Sequence, residues 1–559
     1  MAIALPAGAG APDLTPPLER RSFRLCYQAT GPGWASNAKP GQSHMKTKMK
    51  ALAAALVLAV ALPALAAPEA APETKEEAAA KPVPEPVMFT STQTGTFGGQ
   101  RMTYRVEAGE THIPGEDGEP AASLFTISYI RENAGGPRPV SFVFNGGPGS
   151  ASVWLHLGLL GPKRVVVASD ADSDDGAAPY TMVDNPLSLL DVTDLVFIDP
   201  VGTGYSRAVG KGEDKDYWSE EGDGSSIAEF IRIWITKHQR WNAPKYLIGE
   251  SFGTTRAAYL AHRMATGEVD IALNGLVLIS QALDYEGSTS AHDNVYSYIT
   301  YLPSMAAAAQ YHGKAGQGVP QAEFLEDART FARDEYGPAL WKDARLSPEE
   351  RARIRDRLVY FTGLSPEYVE RSDLRILMPR FQKELLREEG LAIGRLDGRY
   401  AGDEADDVAE VPEADAASYF IESAYNALLN QYLYADLGVR MDRSYIVSSE
   451  AAGNAWNFRN APEGEYWEPK YVNAGHQLAT AMRRNTELRA WVANGYYDMI
   501  TPFFDAEITF ARYGIPQERV AMTYYQAGHM MYLHEPALEA LAADLRAFYA
   551  GQLEDQQPD

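Results

Sequence analysis

Short apolar runs set the strongest constraint on how this chain can fold. PVSFVFN (139–145), TDLVFIDP (193–200), KYLIGES (245–251) and LNGLVLIS (273–280) are each seven or eight residues long and lack a polar face. Runs of this length and composition fill strands of a parallel sheet that is covered on both sides. Between the second and third lies SIAEFIRIWITKHQRW (226–241), whose apolar positions recur at helical spacing. Strand alternating with helix predicts a doubly wound α/β sheet. Ahead of it, residues 102–106 and 124–130 are rich in β-branched and aromatic residues and read as antiparallel strands.

From about 285 to 485 the style changes to charged helical segments such as SPEERARIRDRLVYFTG and SPEYVERSDLRILMPRFQKELLREEG, each opened by Ser-Pro with Glu in the first turn. The strand style then resumes with ELRAWVANG (487–495) and RVAMTYYQAG (519–528). The expected organisation is a core in two parts, 88–284 and 486–559, split by a mainly helical cap insertion over 285–485.

The N-terminal region reads differently. Residues 45–66 combine three lysines, an apolar run and Ala-Leu-Ala, the pattern of a secretory signal peptide cleaved after Ala66. The apolar run falls short of the roughly 20 residues that span a bilayer. The stretch 1–44 precedes that signal, which suggests a start at Met45 and a mis-assigned upstream extension. Residues 67–87, dominated by Ala, Pro, Glu and Lys, read as a solvated linker. Export to a bacterial periplasm or exterior is the expectation. The single cysteine, Cys26, lies upstream of the signal, so a processed chain would have neither a disulfide nor a thiolate nucleophile. The formal charge of −25 would become −30 after processing, and such a surface repels phosphate backbones and anionic lipid. Neither nucleic-acid binding nor stable membrane association is expected.

One of the apolar runs ends in Gly249-Glu250-Ser251-Phe252-Gly253, followed by a helical pattern. With 47 glycines in the chain, Gly-x-Ser-x-Gly alone means little. Its place between a strand and a helix is more telling, because that sharp elbow lifts a serine hydroxyl above the sheet. The competing reading makes Ser251 an ordinary helix cap. A serine nucleophile needs a base to take its proton and a carboxylate to orient that base, each at the end of a later strand. Asp498, in WVANGYYDMITP, and His529, in YYQAGHMMYLHEP, stand where that order requires. His534, His476 and Asp505 compete on residue type but fit the order less well. FNGGPGS (144–150) follows the first core strand, and its Gly-Gly pair allows close approach to a ligand. In hydrolases built this way the oxyanion meets one amide from such a loop and one from the residue after the nucleophile; here these would be Gly147 and Phe252, each worth about 3 kcal/mol.

NGGPGS, DNPLSLLDVTDLVFIDPVGTGYS, GESFG, NGYYDMITP and AGHMMY, in that order, resemble the serine carboxypeptidase family over about 88–550. The resemblance implies an α/β-hydrolase fold and release of one residue from the free C-terminus of a peptide. It implies Ser251, Asp498 and His529 as catalytic residues and Gly147 and Phe252 as the oxyanion hole. It further implies Asn145 and Glu250 as ligands of the substrate's terminal carboxylate. A carboxylate can bind a carboxylate only with a proton between them, so binding should favour acid, while His529 must be neutral to act. Many relatives carry a second glutamate where ungapped counting finds Leu159, and Thr501 follows Ile500 here. An esterase or acyltransferase with the same triad, or a catalytically silent binding protein, are the alternative readings. No cofactor or metal is expected: His-Glu-x-x-His is absent, and the acidic 394–407 stretch reads as a solvated turn without calcium-loop spacing.

Overall fold

The computed structural model describes residues 82–134, 138–167, 171, 177–267, 270–459 and 471–556. The expected signal peptide, the upstream extension, Cys26 and most of the linker lie outside the described residues.

The apolar runs become strands of one sheet. In chain order its main strands are β1 (Met88–Phe97), β2 (Gln100–Pro114), β3 (Pro120–Arg131), β4 (Val140–Phe144), β5 (Asp194–Ile198), β6 (Lys245–Ser251), β7 (Gly275–Gln281), β8 (Arg489–Gly495) and β9 (Val520–Tyr525). Their spatial order is β1-β2-β3-β5-β4-β6-β7-β8-β9, and the two-residue strand Arg207–Ala208 also pairs with β3. The pairings from β1 to β5 are antiparallel, and all those from β5 to β9 are parallel. This mixed, mostly parallel sheet flanked by helices, with helical insertions, has the architecture of an α/β-hydrolase.

Period-2 alternation sends side chains of each central strand into two different cores. On β8, Trp491 and Ala493 join one face with Tyr425, Leu541 and Phe548, while Ala490 and Val492 join the other with Phe230, Leu260 and Leu478. Trp491 is fully buried, and its indole N–H donates to Thr523 Oγ1 at 2.9 Å, so its one polar atom is satisfied. The covering helices are α1 (Glu220–Lys237), α2 (Phe252–Thr266) and α7 (Gly475–Arg484) on one face, with α6 (Glu422–Ala435) and α9 (Glu535–Ala550) on the other.

Between β7 and β8 the chain builds α3 (Val295–Tyr311), α4 (Gln321–Phe331) and α5 (Pro348–Thr362), whose apolar faces form a third core around Phe331, Phe361 and Phe381. Ser347 caps α5 in a capping box with Glu350, which answers two of the unpaired amides at a helix start. The next segment does not run as one helix. Left-handed backbone at Asp373 and Leu374 splits it into Pro366–Arg371 and Met378–Glu384, each with proline in its first turn. Residues 394–400 also depart from the solvated turn expected there. Asp397 and Arg399 are buried and ion-paired at 2.6 Å, whereas Arg395 and the later part, around Asp406 and Asp407, face water.

Candidate active site

The parallel strands all point their carboxyl ends the same way, and every candidate residue lies just beyond one of them: Asn145 after β4, Ser251 closing β6, Asp498 after β8 and His529 after β9. Crevices at this edge are where open α/β sheets bind their ligands.

Ser251 has φ 59 and ψ −129, a conformation that L residues rarely adopt. The elbow holds because its neighbours leave no alternative room. A Cβ on Gly249 would stand 2.2 Å from the Gly253 carbonyl oxygen, and one on Gly253 would stand 2.8 Å from that of Phe144. Ser251 makes no side-chain capping bond to α2, which removes the helix-cap reading. Thr254 Oγ1 ties down the elbow by donating to the Ser251 carbonyl at 2.7 Å. Ser251 itself is half-buried.

Asp498 and His529 are brought together. The imidazole Nδ1 lies 2.8 Å from Asp498 Oδ2, and both side chains are buried. Asp498 is held by the amides of Ile500 at 2.8 Å and Thr501 at 2.9 Å on Oδ1, and by the Thr501 hydroxyl at 2.8 Å on Oδ2. Thr501 thus orients the acid, a function its side-chain type alone did not announce. Ser280 Oγ donates to the His529 carbonyl at 2.7 Å and fixes the histidine loop from β7. Among the described residues no hydrogen bond joins Ser251 Oγ to the imidazole, whose side-chain partners are Asp498 and Thr501. Burial disfavours a charged imidazole, but the charge and hydrogen bond of Asp498, with the charge of Glu250, outweigh it. His529 therefore holds its proton more tightly than an ordinary histidine, and the exposed Arg395 pulls in the other direction.

The loop after β4 lies directly against the elbow. A Cβ on Gly146 would come within 2.6 Å of the Phe252 amide nitrogen and 2.8 Å of Ser251 Cβ, so only glycine brings the two segments this close. Phe252 is the first residue of α2 and its amide has no intrahelical acceptor, as helix starts require. Among the described residues the Gly147 amide donates to no backbone carbonyl. Arg256, which sequence reasoning passed over, is buried in α2; it donates to Asp223 at 2.5 Å and to the Asn145 carbonyl at 2.6 Å, anchoring the start of this loop.

Beside the serine, Asn145 Nδ2 donates to Glu250 Oε1 at 3.1 Å, and Asn145 Oδ1 accepts from the Leu155 amide at 3.0 Å. Burial pushes the Glu250 carboxyl up to about 7, against smaller opposing effects from His529 and hydrogen bonding. Its Oε2 and the nearby Tyr532 hydroxyl are both buried without completing a hydrogen bond. Leu159 is buried in the apolar core and brings no second acid. Tyr532 closes the AGHMMY motif, but its place beside Glu250 emerges only once the fold sets it here.

The competing residues are elsewhere. His476 is exposed on α7 against Tyr513, His534 precedes α9, and Asp505 is buried in α8 (Phe503–Ala511), where it accepts from Gln281 at 3.3 Å. Among the described residues no group of three or more His, Cys, Asp or Glu side chains is arranged to hold a metal ion, and no helix is long and apolar enough to cross a membrane.

Sheet order, strained serine and oriented histidine together define the α/β-hydrolase class. Comparison with known proteins narrows this. Residues 116–323 match the serine carboxypeptidase family model, a span that contains Asn145, Gly147, Glu250, Ser251 and Phe252 but stops short of Asp498 and His529. The chain is homologous there to serine carboxypeptidases. It is 27% identical over 192 residues to serine carboxypeptidase-like 16 of Arabidopsis thaliana, covering 33% of this chain and 42% of that protein. It is 34% identical over 158 residues to the pheromone-processing carboxypeptidase KEX1 of Cryptococcus gattii, covering 28% and 22%. The matched segment thus spans less than half the length of these relatives. Among solved structures, a prohormone-processing carboxypeptidase from Saccharomyces cerevisiae aligns with a TM-score of 0.48 and 16% identity, over 80% of this chain and 91% of the other.

Proposed function

We propose that this protein is an exported serine carboxypeptidase that removes one residue from the free C-terminus of peptides through an acyl-enzyme on Ser251. In this reading His529 takes the Ser251 proton as Oγ attacks the scissile carbonyl, and Asp498 keeps the imidazole in the required tautomer. The amides of Gly147 and Phe252 receive the negative charge that develops on the carbonyl oxygen. His529 then passes its proton to the departing amino group, and water repeats the sequence to release the acyl product.

The observation that carries the reading is Glu250. A carboxyl held near neutrality by burial, bonded to Asn145 and adjacent to the candidate nucleophile, suits a proton-mediated contact with a second carboxylate. An esterase or acyltransferase with the same triad has no need of it. The signal-like pattern at 45–66 supports export.

The test uses a blocked dipeptide as free acid and as amide. The acid should be cleaved with kcat/KM at least about a hundredfold above the amide, given the roughly 3 kcal/mol at stake when a charged group loses its partner. Equal turnover would reject the carboxypeptidase reading and leave a general acyl hydrolase. Wild type should be labelled by a fluorophosphonate and Ser251→Ala should not; equal behaviour of the two would remove Ser251 from the mechanism.

A further inference from the structure

We propose that Asp397, contributed by the insertion between β7 and β8, is a positioning residue for the catalytic base, acting through the backbone of Gly528. The proposal rests on the reading of His529 as that base.

The segment Arg395–Arg399 passes between the two loops that follow β8 and β9 and is bonded to both. On the histidine side, the His529 amide donates to the Leu396 carbonyl at 2.6 Å, and the Gly528 amide donates to Asp397 Oδ2 at 2.9 Å. On the acid side, the Met499 amide donates to the Arg395 carbonyl at 3.1 Å, and the Gly398 amide donates to the Tyr497 carbonyl at 2.9 Å. Residues on either side of Asp498, together with His529 and its predecessor, are therefore held by one strap. The strap is anchored in turn, because Asp415 accepts from the amides of Arg395 at 2.8 Å and Leu396 at 2.9 Å.

Among the described residues, Asp397 is the strap side chain that hydrogen-bonds the histidine loop. Its carboxylate also accepts from the Arg399 amide at 3.0 Å and from the Arg399 guanidinium at 2.6 Å, and Arg399 lies over the Tyr497 ring at 5.3 Å. The contact at Gly528 tolerates no side chain: a Cβ there would stand 2.4 Å from the Leu396 carbonyl oxygen and 2.5 Å from Asp397 Cβ. A buried carboxylate accepting a backbone N–H is a strong, directional bond, and here the next residue along is the imidazole. Misplacing a catalytic group by about 1 Å can cost about a hundredfold in rate.

The experiment separates positioning from stability. Replacing a buried ion pair with apolar residues of similar size is often neutral or stabilising. The double variant Asp397→Leu/Arg399→Met should therefore keep the fold while removing the acceptor from Gly528. Its kcat on the blocked peptide acid and its fluorophosphonate labelling rate should fall at least tenfold, with KM within twofold of wild type. Asp397→Asn, which keeps an acceptor oxygen but not the charge, should fall about threefold to tenfold with the same unchanged KM. Glu404→Gln breaks the buried Lys383–Glu404 pair elsewhere in the insertion and should lower Tm without slowing labelling. A folded double variant that labels at the wild-type rate would overturn the proposal. Should that variant not fold, Asp397→Asn with wild-type kcat and labelling would do the same. A wild-type protein that does not label at all would instead count against the underlying enzymatic reading.

Discussion

Glu250 gives the sharpest prediction. Its carboxyl is pushed up to about 7, so the neutral form falls from about nine tenths at pH 6 to about one tenth at pH 8. If only the neutral form accepts a terminal carboxylate, KM for a blocked peptide acid rises about tenfold across those two units, equivalent to about 1.4 kcal/mol of lost binding. Glu250→Gln carries a permanent donor in place of the proton, so its KM for the acid should stay flat from pH 6 to pH 8 and fall below the wild-type value at pH 8. The amide should show no such slope with either protein. Stability provides a second readout. The native carboxyl is raised above its ordinary 4.5, so the folded state binds the proton more tightly than the unfolded chain. The associated stability is present below about pH 4.5 and lost as pH rises through about 7, a total of about 3 kcal/mol. Glu250→Gln should therefore match wild type in denaturant midpoint at pH 4 and exceed it at pH 8. A wild-type KM for the acid that is level from pH 6 to pH 8, or a Gln variant that keeps the slope, would refute the assignment.

Two further outcomes follow from other parts of the molecule. Arg395 lowers the proton affinity of His529, so Arg395→Gln should move the acid limb of the kcat/KM profile to higher pH, and raising salt should shrink the difference between the two proteins. Trp491→Ala empties a fully buried indole site and leaves Thr523 Oγ1 without its donor, so chemical denaturation should report a loss of about 3–5 kcal/mol.

Much of the architecture was legible because burial on both faces leaves a plain mark. A run such as Val140–Phe144 can only be a covered strand or a piece of buried helix, and its length decides for strand. The elbow was legible for a similar reason, since a serine between two glycines after such a run has few other uses. The parts played by Arg256, and by Thr501 and Tyr532 within NGYYDMITP and AGHMMY, were not, because each depends on neighbours, from 3 to nearly 300 positions away, that no local spacing announces. The stretch 394–407 misled for the opposite reason. Its composition is that of a surface turn, and the local pairing of Asp397 with Arg399 together with the tertiary bond from Gly528 lets much of its first half be buried. Left-handed backbone at Asp373 and Leu374 likewise gave no warning in a sequence with good helical content.

The backbone bonds around Leu396 also bear on how a peptide can enter. In the proposed mechanism, an insertion that swung away from the sheet as a hinged lid at this corner would pull on the amide of His529 and displace the base it was meant to uncover. Traffic to and from the serine must leave that corner shut, which makes the insertion a fixed wall there and assigns any gating to other margins of the crevice.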